Sequence, residues 1–190
     1  HQRTWAADVA QGMKYLYGHG IEHRDLKSGN VLLTSGKARA KVADFGLSRC
    51  EELNTMTQTK AAVGTAAYMA PELLEDNLFD EKSDVYSFAI VVWEIWDGGV
   101  PWHGLQPVQI TRKVVDKRER PPVPAGMPAE LRKLMVRAWA HKPGARPSFR
   151  EIAAAVRVST PRGAAPDGSS WGSGDSAQGT TRSRLGRWFA

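Results

Sequence analysis

A chain of 190 residues with 42% hydrophobic composition is long enough to bury one core of ordinary size, and is expected to form one domain plus a tail. Its net charge of +6 is spread along the sequence without the aromatic interleaving of a single-strand binder, which argues against a nucleic-acid partner. One cysteine, Cys50, excludes an internal disulfide framework and agrees with a cytoplasmic or nuclear location, and the longest apolar stretch, 88–96, is interrupted by Glu94 and too short to cross a bilayer.

Trp5, Val9, Met13 and Leu16 recur at helical spacing and predict an amphipathic helix ending near Gly18 and Gly20. No basic region followed by an apolar run occurs in residues 1–20, so no secretion signal is read there. Val31-Leu32-Leu33 and Lys41-Val42-Ala43 are short β-type runs flanking Ser35-Gly36, which predicts a small hairpin that brings Asn30 and Asp44 close together. Between Val85 and Trp96 apolar residues cover nearly the whole circumference of a helix, so that helix must be central and buried.

Residues 105–117 predict an amphipathic helix, Pro121-Pro122-Val123-Pro124 a loop, and Leu131, Leu134, Met135 and Ala138 a further helical stripe. The basic run Arg112 to Arg120, which contains Asp116 and Glu119, reads as a solvated helix face. Pro147 is suited to open a last helix through about Val156. Beyond it, residues 158–190 are rich in Gly, Ser, Thr, Pro and Arg and cannot bury enough surface to offset ordering entropy, so they read as a disordered tail. Gly172-Ser173-Gly174 there has no preceding strand and is not read as a nucleotide loop, and Trp188-Phe189 reads as a frayed terminus in preference to a short sticky element for a partner or a membrane surface.

Three motifs stand in fixed order: His23-Arg24-Asp25-Leu26-Lys27-Ser28-Gly29-Asn30, Asp44-Phe45-Gly46 and Ala70-Pro71-Glu72. Singly, each would pass as turn chemistry, but turns give no reason for Asp25, Lys27, Asn30 and Asp44 to occur together at these separations. The chain resembles the C-terminal lobe of a protein kinase over residues 1–157: α+β by family, mainly α in this chain, with a small catalytic hairpin. The resemblance implies transfer of the γ-phosphate of ATP, assisted by Mg²⁺, to Ser or Thr hydroxyls of protein substrates. Lys27, two residues after Asp25, follows the serine/threonine pattern. Leu26 to Asn30, Tyr68 to Glu72 and Asp84 to Phe88 resemble the tyrosine-kinase-like group that includes Raf-type and mixed-lineage-type kinases.

By that resemblance Asp25 orients the substrate hydroxyl and Lys27 touches the transferring phosphate. Asn30 and Asp44 supply oxygen ligands to Mg²⁺, and Leu32 forms the floor of the adenine site. Arg24 receives a phosphate on the activation segment, where Ser48, Thr55, Thr57 and Thr59 are candidates for an upstream kinase. Gly64 and Thr65 form the substrate-docking turn, with the threonine hydroxyl bonded to Asp25 and Lys27. Structural roles fall to His23 and Phe45 as stacked contacts, Glu72 and Arg146 as a buried ion pair, and Asp84 as the anchor of the catalytic-loop backbone. Glu22 stands where the family is normally apolar, and needs solvent or a basic partner. Lys142 and Ala89 are two further departures.

Only residues 1–22 precede His23, and no glycine-rich loop after a strand, strand-borne lysine or partner glutamate is found, so the nucleotide-clamping N-terminal lobe is expected to be missing. Two readings follow. One is a partial kinase domain; the other is a catalytically inactive free C-lobe that acts as a protein-interaction module.

Overall fold

The computed structural model describes residues 1–45 and 65–159, with side chains through Arg157, and the backbone of Ser183–Arg184. Helix α1, Gln2–Gly18, buries Trp5, Ala6, Val9, Ala10, Met13 and Leu16, the stripe expected from their spacing. It leads into the 23–30 loop, whose last residues, Ser28–Asn30, form a single tight helical turn. Strands β1, Val31–Leu33, and β2, Ala40–Val42, then pair antiparallel, with Val31 opposite Val42 and Leu33 opposite Ala40. Strand β2 starts one residue earlier than the apolar run suggests. Ala43, outside the strand, still donates its N–H to the Asn30 carbonyl at 2.9 Å, which carries the chain back beside the loop and delivers Asp44 there.

Helix α2, Pro71–Asp76, begins with proline in its first turn and ends at Asn77 in the left-handed conformation. Helix α3, Glu81–Asp97, is the predicted central helix. Asp80 caps it by accepting from the backbone of Lys82 (2.8 Å) and Ser83 (3.1 Å), while the Ser83 hydroxyl accepts from Asp80 N–H at 3.3 Å. Val85, Tyr86, Phe88, Ala89, Ile90, Val91 and Ile95 are fully buried, and each large apolar side chain removed from water contributes about 1.5–3 kcal/mol. Ala89, one of the family departures, therefore packs inside the core.

The expected helix over 105–117 is two pieces. Helix α4, Pro107–Thr111, passes into a wider π-type turn, Arg112–Asp116, where Lys117 N–H bonds the Arg112 carbonyl at 3.1 Å, five residues back. Arg112, Asp116, Lys117 and Arg118 of the basic run are exposed, as a solvated face requires, and Arg120 at its end is the exception. Arg120 is partly buried and donates to the carbonyls of Trp139 (2.9 Å), Glu119 (2.7 Å) and Val114 (3.3 Å). The proline-rich stretch is a loop as expected, and its Pro122 carbonyl accepts from Trp93 Nε1 at 2.7 Å.

Helix α5, Ala129–Ala138, buries Leu131, Met135 and Ala138, and helix α6 is Phe149–Ser159. The start of α6 is set by Ser148 rather than by Pro147: its N–H and hydroxyl both bond Glu151 Oε2, at 2.8 and 2.9 Å. Helix α1 packs on α6, β2 and α3, which places the loop and hairpin over the central helix. Within the tail read as disordered, Ser183–Arg184 form a short strand, β3, antiparallel to β1, with Leu32 opposite Arg184. Gly172, Gly174, Trp188 and Phe189 lie outside the described residues, and no described helix is long and apolar enough to cross a membrane.

Candidate active site

Asp25 is the focus of the loop. Its Oδ2 accepts from Lys27 Nζ at 2.6 Å and from Asn30 Nδ2 at 3.1 Å, and Asn30 Nδ2 also bonds the Asp25 carbonyl at 2.8 Å. The carboxylate is thereby held by one oxygen, and among the described contacts Oδ1 accepts no bond. The Asp25 and Lys27 side chains are half-buried, 22% and 29% exposed. Lys27 Nζ further bonds the Thr65 hydroxyl at 3.2 Å. The expected bond from Thr65 to Asp25 is thus indirect, through Lys27, because the ammonium lies between two acceptors.

The loop is shaped from below by Asp84 on α3. Its carboxylate accepts from His23 N–H (2.9 Å) and Arg24 N–H (3.1 Å to Oδ1), the anchoring role expected of it. Arg24 adopts φ 66, a left-handed conformation unusual for a side-chain-bearing residue, and the Asp84 bond to its N–H offsets part of that strain. Sequence reasoning missed the third donor, the Tyr17 hydroxyl from α1, at 2.7 Å. Burial pushes the Asp84 carboxyl upward, against the opposing pull of these donors.

A second support was also missed. Glu94, fully inside α3, accepts from the Ser28 hydroxyl at 2.8 Å and the Tyr68 hydroxyl at 2.6 Å, and the Ser28 and Tyr68 hydroxyls are themselves 3.1 Å apart. This network ties the end of the loop to the segment before α2. Burial raises Glu94, and its two neutral donors only partly counter that. The available signal was the charge itself: a carboxylate inside an otherwise apolar helix requires partners.

Asp84 and Glu94 therefore hold the loop at residues 23–24 and at residue 28, which fixes the span carrying Asp25 and Lys27 between them. His23 is fully buried, with Nε2 3.1 Å from the Ala43 carbonyl. Phe45 is 46% exposed, so the expected stacking of His23 and Phe45 is replaced by the hydrogen bond to Ala43. Leu32 is half-buried between the inward Val31 and Leu33, on the other face of β1. Glu72 and Arg146 form the expected ion pair, bidentate at 2.7 and 2.8 Å with the guanidinium side chain 0% exposed. Glu22 finds its basic partner in Arg24, at 2.8 Å. Ser48, Thr55, Thr57, Thr59 and Gly64 lie outside the described residues.

The donor set suits magnesium. Asn30 is 4% exposed and turns its amide hydrogens to Asp25, which leaves its hard carbonyl oxygen as a ligand. Asp44, at φ 59 directly after the hairpin, brings a carboxylate to the same end of the sheet. No group of three or more His, Cys, Asp or Glu side chains converges among the described residues. One carboxylate and one amide match an ion that keeps several waters and takes its remaining ligands from substrate phosphates.

Residues 1–156 match the family model of the protein tyrosine and serine/threonine kinases. The serine/threonine/tyrosine-protein kinase HT1 of Arabidopsis thaliana is 43% identical over 151 residues, covering 80% of this chain and 38% of that protein. A probable LIM domain-containing serine/threonine-protein kinase of Dictyostelium discoideum is 46% identical over 151 residues, covering 80% of this chain and 23% of its own length. The serine/threonine-protein kinase CTR1 of Arabidopsis thaliana is 42% identical over 151 residues, covering 78% of this chain and 18% of its own. The chain thus spans well under half the length of these relatives.

Proposed function

The chain belongs to the protein tyrosine and serine/threonine kinase family, and from that premise we propose that residues 1–157 form the C-terminal lobe of a serine/threonine kinase acting on protein substrates in the cytosol or nucleus. The observation that carries this reading is the Asp25 carboxylate, pinned through one oxygen by Lys27 and Asn30 while its other oxygen accepts no bond among the described contacts. A carboxylate so held accepts the hydrogen bond of a serine or threonine hydroxyl and aims its oxygen along one line. Lys27 stands beside it as the cation that meets the transferring phosphoryl oxygens. Asn30 and Asp44 would hold Mg²⁺, which when bound neutralises charge on the ATP phosphates and leaves the chain only positioning to perform.

Leu32 offers an apolar floor for the adenine, and Thr65 holds Lys27 from the substrate side. Arg24 is the receiver of a phosphate placed by an upstream kinase on Thr55, Thr57 or Thr59. On this reading, transfer requires a glycine-rich loop, a strand lysine and a helix glutamate to clamp the nucleotide phosphates, the parts that an N-terminal lobe would bring.

The test is calorimetric titration of ATP with Mg²⁺ into the purified chain, followed by transfer to a general protein substrate when the chain is joined to an N-terminal kinase lobe. We expect little binding by the chain alone and transfer by the joined form. Transfer should fall about a hundredfold or more in Asp25→Asn and be lost in Asp44→Asn, both of which remain folded. Retained transfer in Asp44→Asn would sink the metal assignment. Absence of transfer in every joined form would favour the interaction-module reading.

A further inference from the structure

Glu22 directly precedes the 23–30 loop, and its carboxylate is engaged by the residue two places on. Glu22 Oε2 accepts from Arg24 Nε at 2.9 Å and lies 2.8 Å from Nη2, so it closes the edge of the guanidinium that a bidentate oxyanion would use. The rest of Arg24 is also placed. Its guanidinium lies 5.5 Å from the centre of the Phe79 ring, in the link between α2 and α3, and its N–H is held by Asp84 in the left-handed turn.

Arg24 is therefore a preset fork, one residue ahead of Asp25, whose anion comes from its own chain. A carboxylate at position 22, bonded on that edge, competes with an outside anion for it.

We propose that Glu22 is the resident anion of the Arg24 fork: a positioning residue that holds Arg24, and with it the turn entering Asp25, in place of a phosphate group and in competition with one. This rests on the reading of Arg24 as a phosphate receiver. Because the two side chains are 41% and 37% exposed, the competition weakens phosphate binding rather than forbidding it, by a factor of up to about five for an exposed pair. Phosphate on the activation segment then makes a smaller difference to this chain than it would with an apolar residue at position 22.

The experiment titrates inorganic phosphate into the 190-residue chain and its Glu22→Gln variant. The Arg24 Nε–Hε signal is followed by NMR at constant ionic strength, with Arg24→Lys to assign the signal and thermal melting to verify the fold. We expect a saturable shift in both forms, with roughly two- to fivefold tighter binding in Glu22→Gln and an unchanged melting temperature. Equal affinities in the two forms would overturn the proposal while leaving Arg24 as a phosphate receiver. An Arg24 signal indifferent to phosphate in both forms, yet displaced by Glu22→Gln, would retire the receiver reading itself and the proposal with it.

Discussion

Around helix α3 the protein holds buried and partly buried carboxylates in two different ways. Between α2 and the turn ahead of α6, Glu72 meets a guanidinium: Arg146 grips both of its oxygens and also donates to the carbonyls of Ala140, Lys82 and His141. Under the 23–30 loop, Asp84 and Glu94 accept, among the described residues, from neutral donors, namely backbone N–H groups and the hydroxyls of Tyr17, Ser28 and Tyr68. The outcomes diverge accordingly. Burial would raise Glu72, but Arg146 overcomes it and holds the carboxyl below its ordinary value, whereas Asp84 and Glu94 stay above theirs. A cation is the stronger clamp between scaffold segments. Neutral donors give up stability but fix specific N–H and O–H vectors, which is what a loop that must aim Asp25 requires.

That contrast breaks most visibly at Arg146. Arg146→Met leaves the partly buried Glu72 without its cation and is expected to destabilise the fold by about 3 kcal/mol in denaturant melts, with the double variant Glu72→Gln, Arg146→Met recovering part of the loss. Since the folded carboxyl is depressed, the pair's contribution is complete above the ordinary value of 4.5 and is lost as pH falls through the lower folded value. A loss in Arg146→Met that does not shrink on acidification would contradict the clamp.

Asp84→Ala removes the acceptor of three donors at once and should lower stability by about 2–4 kcal/mol. Amide exchange at His23 and Arg24 should accelerate more than exchange in α5. Were Asp84→Ala costlier than Arg146→Met, cation pairing would not be the stronger device.

Glu94→Gln is expected to change stability by no more than about 1 kcal/mol at neutral pH, because both neighbouring hydroxyls can exchange donor and acceptor roles. Glu94 carries a raised folded value, so its burdened charged form appears as pH rises through that value and disappears below 4.5. Wild type should therefore gain on Glu94→Gln as pH is lowered, opposite in sign to the Arg146 series. A flat difference from pH 4 to 8 would show that burial does not burden the Glu94 carboxylate.

The smallest change is Tyr86→Phe. Tyr86 lies beneath the guanidinium groups of Arg120 and Arg146, whose carbons are 5.0 and 5.3 Å from its ring centre, and its buried hydroxyl has no partner among the described residues. Burial pushes that hydroxyl up to about 12. Phenylalanine keeps the ring and discards the orphan polar group, so stability should hold or rise by up to about 1 kcal/mol. A clear loss would reveal a partner for the hydroxyl.

Much of the site was legible before any fold was known, because its parts are local. Asp25, Lys27 and Asn30 lie within one loop, and a short hairpin suffices to return Asp44 to Asn30. The all-round apolar face of α3 announced its burial, and the Glu72–Arg146 pair followed from the resemblance. Errors gathered where local pattern and tertiary need diverge. Arg120 read as a solvated cation but reaches carbonyls across a neighbouring turn, 105–117 read as one helix but widens at Arg112, and Phe45 read as packed but is exposed.

Residue identity and spacing alone determined the chemistry on offer: two carboxylates, an amide and an ammonium on a loop and hairpin, beside a helix too apolar to lie at the surface. Only the tertiary structure decided what holds them. Tyr17 reaches Asp84 and Ser28 reaches Glu94 across 67 and 66 residues. Such bonds depend on the angles at which α1 and the loop lie against α3, which arise from packing many side chains together and leave no trace in any short stretch of the chain.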